Sequence, residues 1–208
     1  MEIELFIFDW SGTISDDRKP VYETNIRLMK HFNKPVLSFE EWLPKVKMTI
    51  LDFFDSIGID KNHDELFLLY EKLYTEVHDS GIAPQVYPDA HEILQNLKNK
   101  GKKIAILSSH PAKNVRREAE HYNLIQLIDF ISGSSRNKVE GLLNVCRHFR
   151  IDSASALYVG DMIYDIRSAK LAGVKSAAVC TGYHAKAILE KENPELILNS
   201  LSELGKII

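Results

Sequence analysis

Glu4-Leu5-Phe6-Ile7-Phe8-Asp9-Trp10-Ser11-Gly12-Thr13 decides how the rest of this chain is read. Ile3 to Phe8 is a short apolar run of the kind that forms a strand buried on both faces. It ends on a carboxylate, Asp9, and a glycine turn follows. Two residues beyond Asp9, where a second carboxylate would work with the first, stands Ser11.

Further apolar runs recur downstream: Lys103 to Leu107, Leu127 to Ile131, Ala156 to Val159 and Lys175 to Val179. Leu196 to Leu198 reads as a last short edge strand. Helical patterns separate the runs. In the stretch His91 to Lys98, Ile93, Leu94 and Leu97 share one face, and Gly101 ends the helix. Val139 to Cys146 repeats the arrangement after Lys138, and Ile166 to Leu171 does so before Gly173. Strands alternating with helices predict an α/β fold with a largely parallel sheet covered on both faces.

Residues 16–84 break this rhythm. They carry helical patterns and no convincing strand, with Phe39, Trp42, Phe53, Phe54, Leu66, Leu69 and Leu73 among their apolar residues. That supply suffices for a small helical domain inserted into the parent fold. Residues 1–15 and 85–208 then form the core, and Pro84 and Pro88 bracket the return.

A chain of 208 residues can bury a full core. Its composition, 45% apolar and 26% charged, is that of an ordinary globular protein. A formal charge of −3 argues against nucleic acid as a partner, since that affinity comes largely from clustered Lys and Arg. No apolar run reaches membrane-spanning length. With no basic leader, and with only Cys146 and Cys180 as thiols, a reducing cytoplasm is the expected location. Monomer or weak homodimer is the default expectation.

In open parallel sheets, active groups gather at the carboxyl ends of strands. Asp9 ends the first strand, Ser108 and Ser109 end the second, Lys138 follows the third, and Asp161 and Asp165 follow Leu157-Tyr158-Val159-Gly160. Taken singly, each is an ordinary cap or surface residue. Together they are three carboxylates, a hydroxyl and an ammonium at successive strand ends. Carboxylates around one point repel unless a cation holds them, and hard oxygen ligands suit magnesium. Lysine, hydroxyl and turn amides would serve phosphoryl oxygens. Asp9 would then act as nucleophile toward phosphorus, and Gly12 would let the turn backbone approach the phosphate. GxxxxGK, GxGxxG and HExxH patterns are absent, and His91, His110, His121, His148 and His184 are scattered.

These residues resemble the haloacid dehalogenase-like superfamily of hydrolases. Phe8-Asp9-Trp10-Ser11-Gly12-Thr13 is similar to its first motif, commonly DxDGT, and Leu107-Ser108-Ser109 to its second. Lys138 stands for the third, and Gly160-Asp161-Met162-Ile163-Tyr164-Asp165 matches the GDxxxD form of the fourth. The resemblance implies a Rossmann-like three-layer core with a small α-helical cap. It implies a magnesium-dependent phosphatase of a small phosphorylated metabolite, working through an aspartyl phosphate on Asp9. Asp9, the Ser11 carbonyl and Asp161 would bind magnesium, with Asp165 ligating it or orienting its water. Ser108 would hydrogen-bond the phosphoryl group and Lys138 would balance charge. Thr13 would support the first loop, and Gly12, Thr13 and Ser109 would line the phosphate side.

The departure is Ser11. Resembling phosphatases carry an aspartate there, which protonates the leaving alkoxide and later activates water. Phosphonatases of the superfamily carry Asp-Trp-Ala-Gly-Thr, close to Asp9 to Thr13, and use a cap lysine on phosphonoacetaldehyde. Lys45 and Lys47 lie where such a lysine would fall. Dehalogenases carry tyrosine at the Ser11 position and need no magnesium. His31, Glu40 and Glu41 are cap candidates for the missing proton-transfer group, and a weakly active binding protein is the remaining alternative.

Overall fold

The computed structural model describes residues 2–46, 50–59 and 62–206. Chain order runs β1 (Leu5–Phe8), β2 (Ser15–Asp16), α1 (Arg18–His31), α2 (Phe39–Trp42), α3 (Ile50–Ser56), α4 (His63–Asp79) and β3 (Gln85–Val86). It continues α5 (Ala90–Asn99), β4 (Lys103–Leu107), α6 (Ala112–His121), β5 (Phe130–Ser132) and α7 (Lys138–Phe149). Then come β6 (Ala156–Gly160), α8 (Ile163–Leu171), β7 (Lys175–Val179), α9 (Lys186–Leu189) and β8 (Leu196–Leu198).

Residues up to Ser15 together with Val86 onward make one compact unit, and Asp16–Gln85 makes another. The first unit is built on a six-stranded sheet in the order β5-β4-β1-β6-β7-β8, with every neighbouring pair parallel. Strand alternation explains its two faces. Phe6, Phe8, Ile104, Ile106, Leu157 and Val159 join one buried cluster with Ile93, Leu94 and Leu97 of α5 and Val115 and Ala119 of α6. Leu5, Ile7, Ala105, Leu107, Ala156 and Tyr158 join the other with Leu142 and Val145 of α7 and Ala169 of α8. A central strand buried on both faces must be apolar throughout, and each such side chain contributes about 1.5–3 kcal/mol by leaving water. The three-layer parallel arrangement expected from the sequence is therefore present. β1 lies between β4 and β6, where successive strands change direction of travel along the sheet, so the end of β1 opens at a topological switch point.

Two boundaries differ from the sequence expectation. The strand expected from Leu127 begins only at Phe130, because the Leu127 and Ile128 N–H groups turn back to Leu124 and Ile125 carbonyls. The helix expected from Ile166 starts at Ile163, because Asp165 accepts the Met162 N–H at 3.0 Å and caps the added turn.

Within the second unit α1 packs on α4. Val21, Ile26, Leu28 and Met29 of α1 and Leu66 and Val77 of α4 are buried. Tyr22, Phe39 and Trp42 form an aromatic cluster with centroids 5.3–5.6 Å apart. Ser38 and Glu41 make a reciprocal capping box at α2, and the Asn62 side chain caps α4 by accepting from the Asp64 N–H. The sequence pattern did not show β2 and β3, which pair as a two-stranded sheet; strands of two residues have no periodicity to read. No described helix is long and apolar enough to cross a membrane.

Candidate active site

The β1 ladder continues into Asp9, whose N–H donates to the Val159 carbonyl at 2.9 Å. The chain then turns back on itself. Thr13, Ile14 and Ser15 all donate their N–H groups to the Trp10 carbonyl, and Gly12 donates to that of Ser15. Gly12 has φ +74°, in the region that favours glycine. A Cβ at Gly12 would also lie 2.3 Å from Asp161 Oδ2, so the close neighbour requiring this glycine is a carboxylate of the fourth motif.

β6 delivers Asp161, which is wholly buried, and the first turn of α8 delivers Asp165. Lys138 is the first residue of α7, held there by an Asn137 cap that accepts from the Glu140 N–H. Its Nζ stands 2.6 Å from Asp165 Oδ1 and 3.1 Å from Asp9 Oδ2. One oxygen from each of Asp9, Asp161 and Asp165 lies within 4.8 Å of the others. Thr13 Oγ1 donates to Asp161 Oδ1 at 3.3 Å.

The electrostatics follow from burial. Desolvation pushes the Asp9 carboxyl up to about 7, with Asp165 adding to the effect and Lys138 and the Trp10 N–H opposing it. Asp161 is pushed well above the usual carboxylate range by burial, then by Asp165 and Asp9. Burial also disfavours the Lys138 ammonium, but Asp165 and Asp9 outweigh it and hold its pKa above the ordinary lysine value. One ammonium cannot neutralise three carboxylates. The residual negative charge, the hard oxygen donors and their spacing fit a divalent cation such as magnesium, and the triad is a divalent-metal site by its donor set.

Of the residues expected from the sequence, Asp9, Lys138, Asp161 and Asp165 converge, and Gly12 and Thr13 adjoin Asp161. Ser108 is buried, and its Oγ accepts the His110 N–H at 3.1 Å. Ser11 is half-buried in its turn. Ser109 is exposed, and no hydrogen bond among the described residues joins it to the carboxylates. Lys45 is exposed in a short turn of the second unit, and Lys47 lies outside the described residues. Glu41 uses its carboxylate on the Ser38 N–H, while His31 and Glu40 are exposed.

Sequence reasoning missed several participants. Tyr158 reads as a plain core residue, yet its hydroxyl donates to Asp165 Oδ1 at 3.1 Å and its ring centroid is 5.7 Å from Lys138 Nζ. The Tyr183 N–H donates to Asp161 Oδ2 at 2.7 Å, and a Cβ at Gly182 would strike the same oxygen. Thr181 Oγ1 donates to the Gly12 carbonyl at 3.1 Å, and Tyr87 donates to the Thr181 carbonyl. Thr181 to Tyr183 follow β7, so the strand-end rule applied to one further strand would have found them.

Comparison with known proteins agrees with this geometry. The family model described as haloacid dehalogenase-like hydrolase matches residues 6–179. Pyrophosphatase PpaX of Bacillus mycoides is 25% identical, covering 100% of this chain and 98% of its own. Phosphoglycolate phosphatase 1 of Pseudomonas aeruginosa is 26% identical, covering 96% and 78%. A haloacid dehalogenase-like family hydrolase of known structure from Streptococcus pneumoniae shares the fold at a TM-score of 0.84, with 17% identity and coverage of 98% and 97%. With a family match across most of its length and the carboxylates gathered at the matching strand ends, the chain belongs to the haloacid dehalogenase-like hydrolase family and is an enzyme.

Proposed function

We propose that the protein is a magnesium-dependent phosphatase of a small phosphorylated metabolite, with Asp9 as nucleophile. The observation carrying this reading is Asp9 itself, buried at the end of β1, 3.1 Å from the Lys138 ammonium and beside two further carboxylates. The phosphatase and pyrophosphatase names of the relatives support it.

Asp9 attacks phosphorus, the bond to the leaving oxygen breaks, and an aspartyl phosphate forms. Attack of water then returns Asp9 and releases phosphate. Lys138 offsets the negative charge of Asp9 and the phosphoryl group, while Ser108 donates to a phosphoryl oxygen. Thr13 holds Asp161 in place. Gly12 and Ser109 flank the phosphate side. Asp9, Asp161 and the Ser11 carbonyl hold magnesium, with Asp165 orienting its water shell; when bound, the ion neutralises charge on the phosphoryl oxygens.

Ser11 narrows the substrate. Its hydroxyl is far too weak an acid to protonate a departing alkoxide near neutral pH. Phosphates whose leaving group departs as a stable anion need no such proton, and aryl phosphates and phosphoanhydrides are of this kind. A pyrophosphatase among the relatives is consistent with that class. The test is phosphate release from 4-nitrophenyl phosphate with magnesium. Asp9→Asn abolishes it if the assignment holds, and an unchanged rate overturns it.

A further inference from the structure

The turn between Asp9 and Ser15 is tied down from outside its own backbone. Trp10 is 1% exposed, and its indole N–H donates to Glu118 Oε2. The buried Ser15 hydroxyl stands 3.5 Å from Glu118 Oε1, the outer range of a hydrogen bond. One carboxylate therefore reaches both ends of the turn that contains Ser11. The turn's internal bonds converge on Trp10, whose carbonyl accepts from Thr13, Ile14 and Ser15. Any shift of Trp10 is passed to all of them. Glu118 reaches this position because α6 buries Val115 and Ala119, three residues before and one after it, placing Glu118 beside the packed face.

We propose that Glu118 is a positioning residue for the metal centre: it pins Trp10 and Ser15 and thereby sets the Ser11 carbonyl for a divalent cation. This rests on the reading above that the Ser11 carbonyl is a ligand. A hydrogen bond to an ionised acceptor is stronger than a neutral one, and partners behind metal ligands are worth about 10–100-fold in affinity.

The experiment measures manganese binding to the resting protein, reading free Mn²⁺ by its electron paramagnetic resonance signal. Glu118→Leu and Trp10→Phe are each expected to weaken binding about 10-fold. Glu118→Gln, which keeps an oxygen to accept from the indole, stays within about threefold of the parent. The Trp10→Phe/Glu118→Leu double variant binds no more weakly than either single variant, because both remove one shared contact. Binding by Glu118→Leu within about twofold of the parent, or fully additive losses in the double variant, overturns the proposal. Should Glu118→Leu fail to fold, Trp10→Phe with and without Glu118→Gln decides by the same criteria. Manganese binding unchanged by Asp161→Asn would overturn the metal-site reading itself, and this proposal with it.

Discussion

Removing the metal should make the protein's stability fall as pH rises. Asp9 carries the argument: it is buried, with a carboxyl pushed from 3.8 up to about 7, chiefly by desolvation. A carboxyl whose folded pKa lies above its unfolded value holds its proton more tightly in the folded state. Its contribution is therefore full below about pH 4 and is lost progressively toward about pH 7. Between pH 5 and pH 7 the linkage relation gives a loss of about 2 kcal/mol from Asp9 alone. Asp161, raised by burial and by its carboxylate neighbours, acts in the same direction. A divalent cation replaces those protons and removes the penalty, so magnesium should stabilise more at pH 7 than at pH 5 by at least this amount. The assay is urea unfolding at both pH values, in EDTA and in excess magnesium, with the difference between the two taken at each pH. Groups outside the site cancel in that difference. Asp9→Asn, which keeps the shape but cannot ionise, should lose much of the pH dependence. Equal stabilisation by magnesium at pH 5 and pH 7 would refute the reasoning.

Three further outcomes are expected. Ser11→Asp should raise turnover of an alkyl phosphate by about 10²–10⁴ while changing 4-nitrophenyl phosphate hydrolysis far less; equal effects on both would show that proton transfer is not what Ser11 lacks. Gly12→Ala should cost about 1–2 kcal/mol from its positive φ alone, plus the clash with Asp161, and should impair metal binding. Unfolding and manganese titration check both, and a variant with parental values counts against the close approach. Tyr158→Phe removes one of the donors to Asp165 and should destabilise the core by about 1.5–3 kcal/mol. Denaturant titration reads this, and a change below about 0.5 kcal/mol would mean the phenol is not a working partner.

Much of the core was legible because its signals are local. β1, β4, β6, β7 and β8 are apolar runs, and α5 and α7 repeat at helical spacing. Asp9, Lys138, Asp161 and Asp165 stood out because strand ends are where an open sheet places its chemistry. β2 and β3 were not legible, since two-residue strands exist through pairing alone. Tyr158 was not legible either: an aromatic in a buried strand reads as core, and only the packing of α7 and α8 on that face supplies its charged partners.

By itself the sequence determined the alternation of elements, the carboxylates at strand ends and the serine at position 11. These follow from side-chain periodicity and from chemistry carried within a few residues. Tertiary structure alone decided that Lys138 lies between Asp165 and Asp9, that the loop after β7 holds Asp161, and that Glu118 ties down Trp10 from 108 residues away. Contacts of that kind depend on the order of strands in the sheet and on which helix covers which face. Nothing in the local pattern encodes either, because both are set by how the buried faces of distant elements pack together.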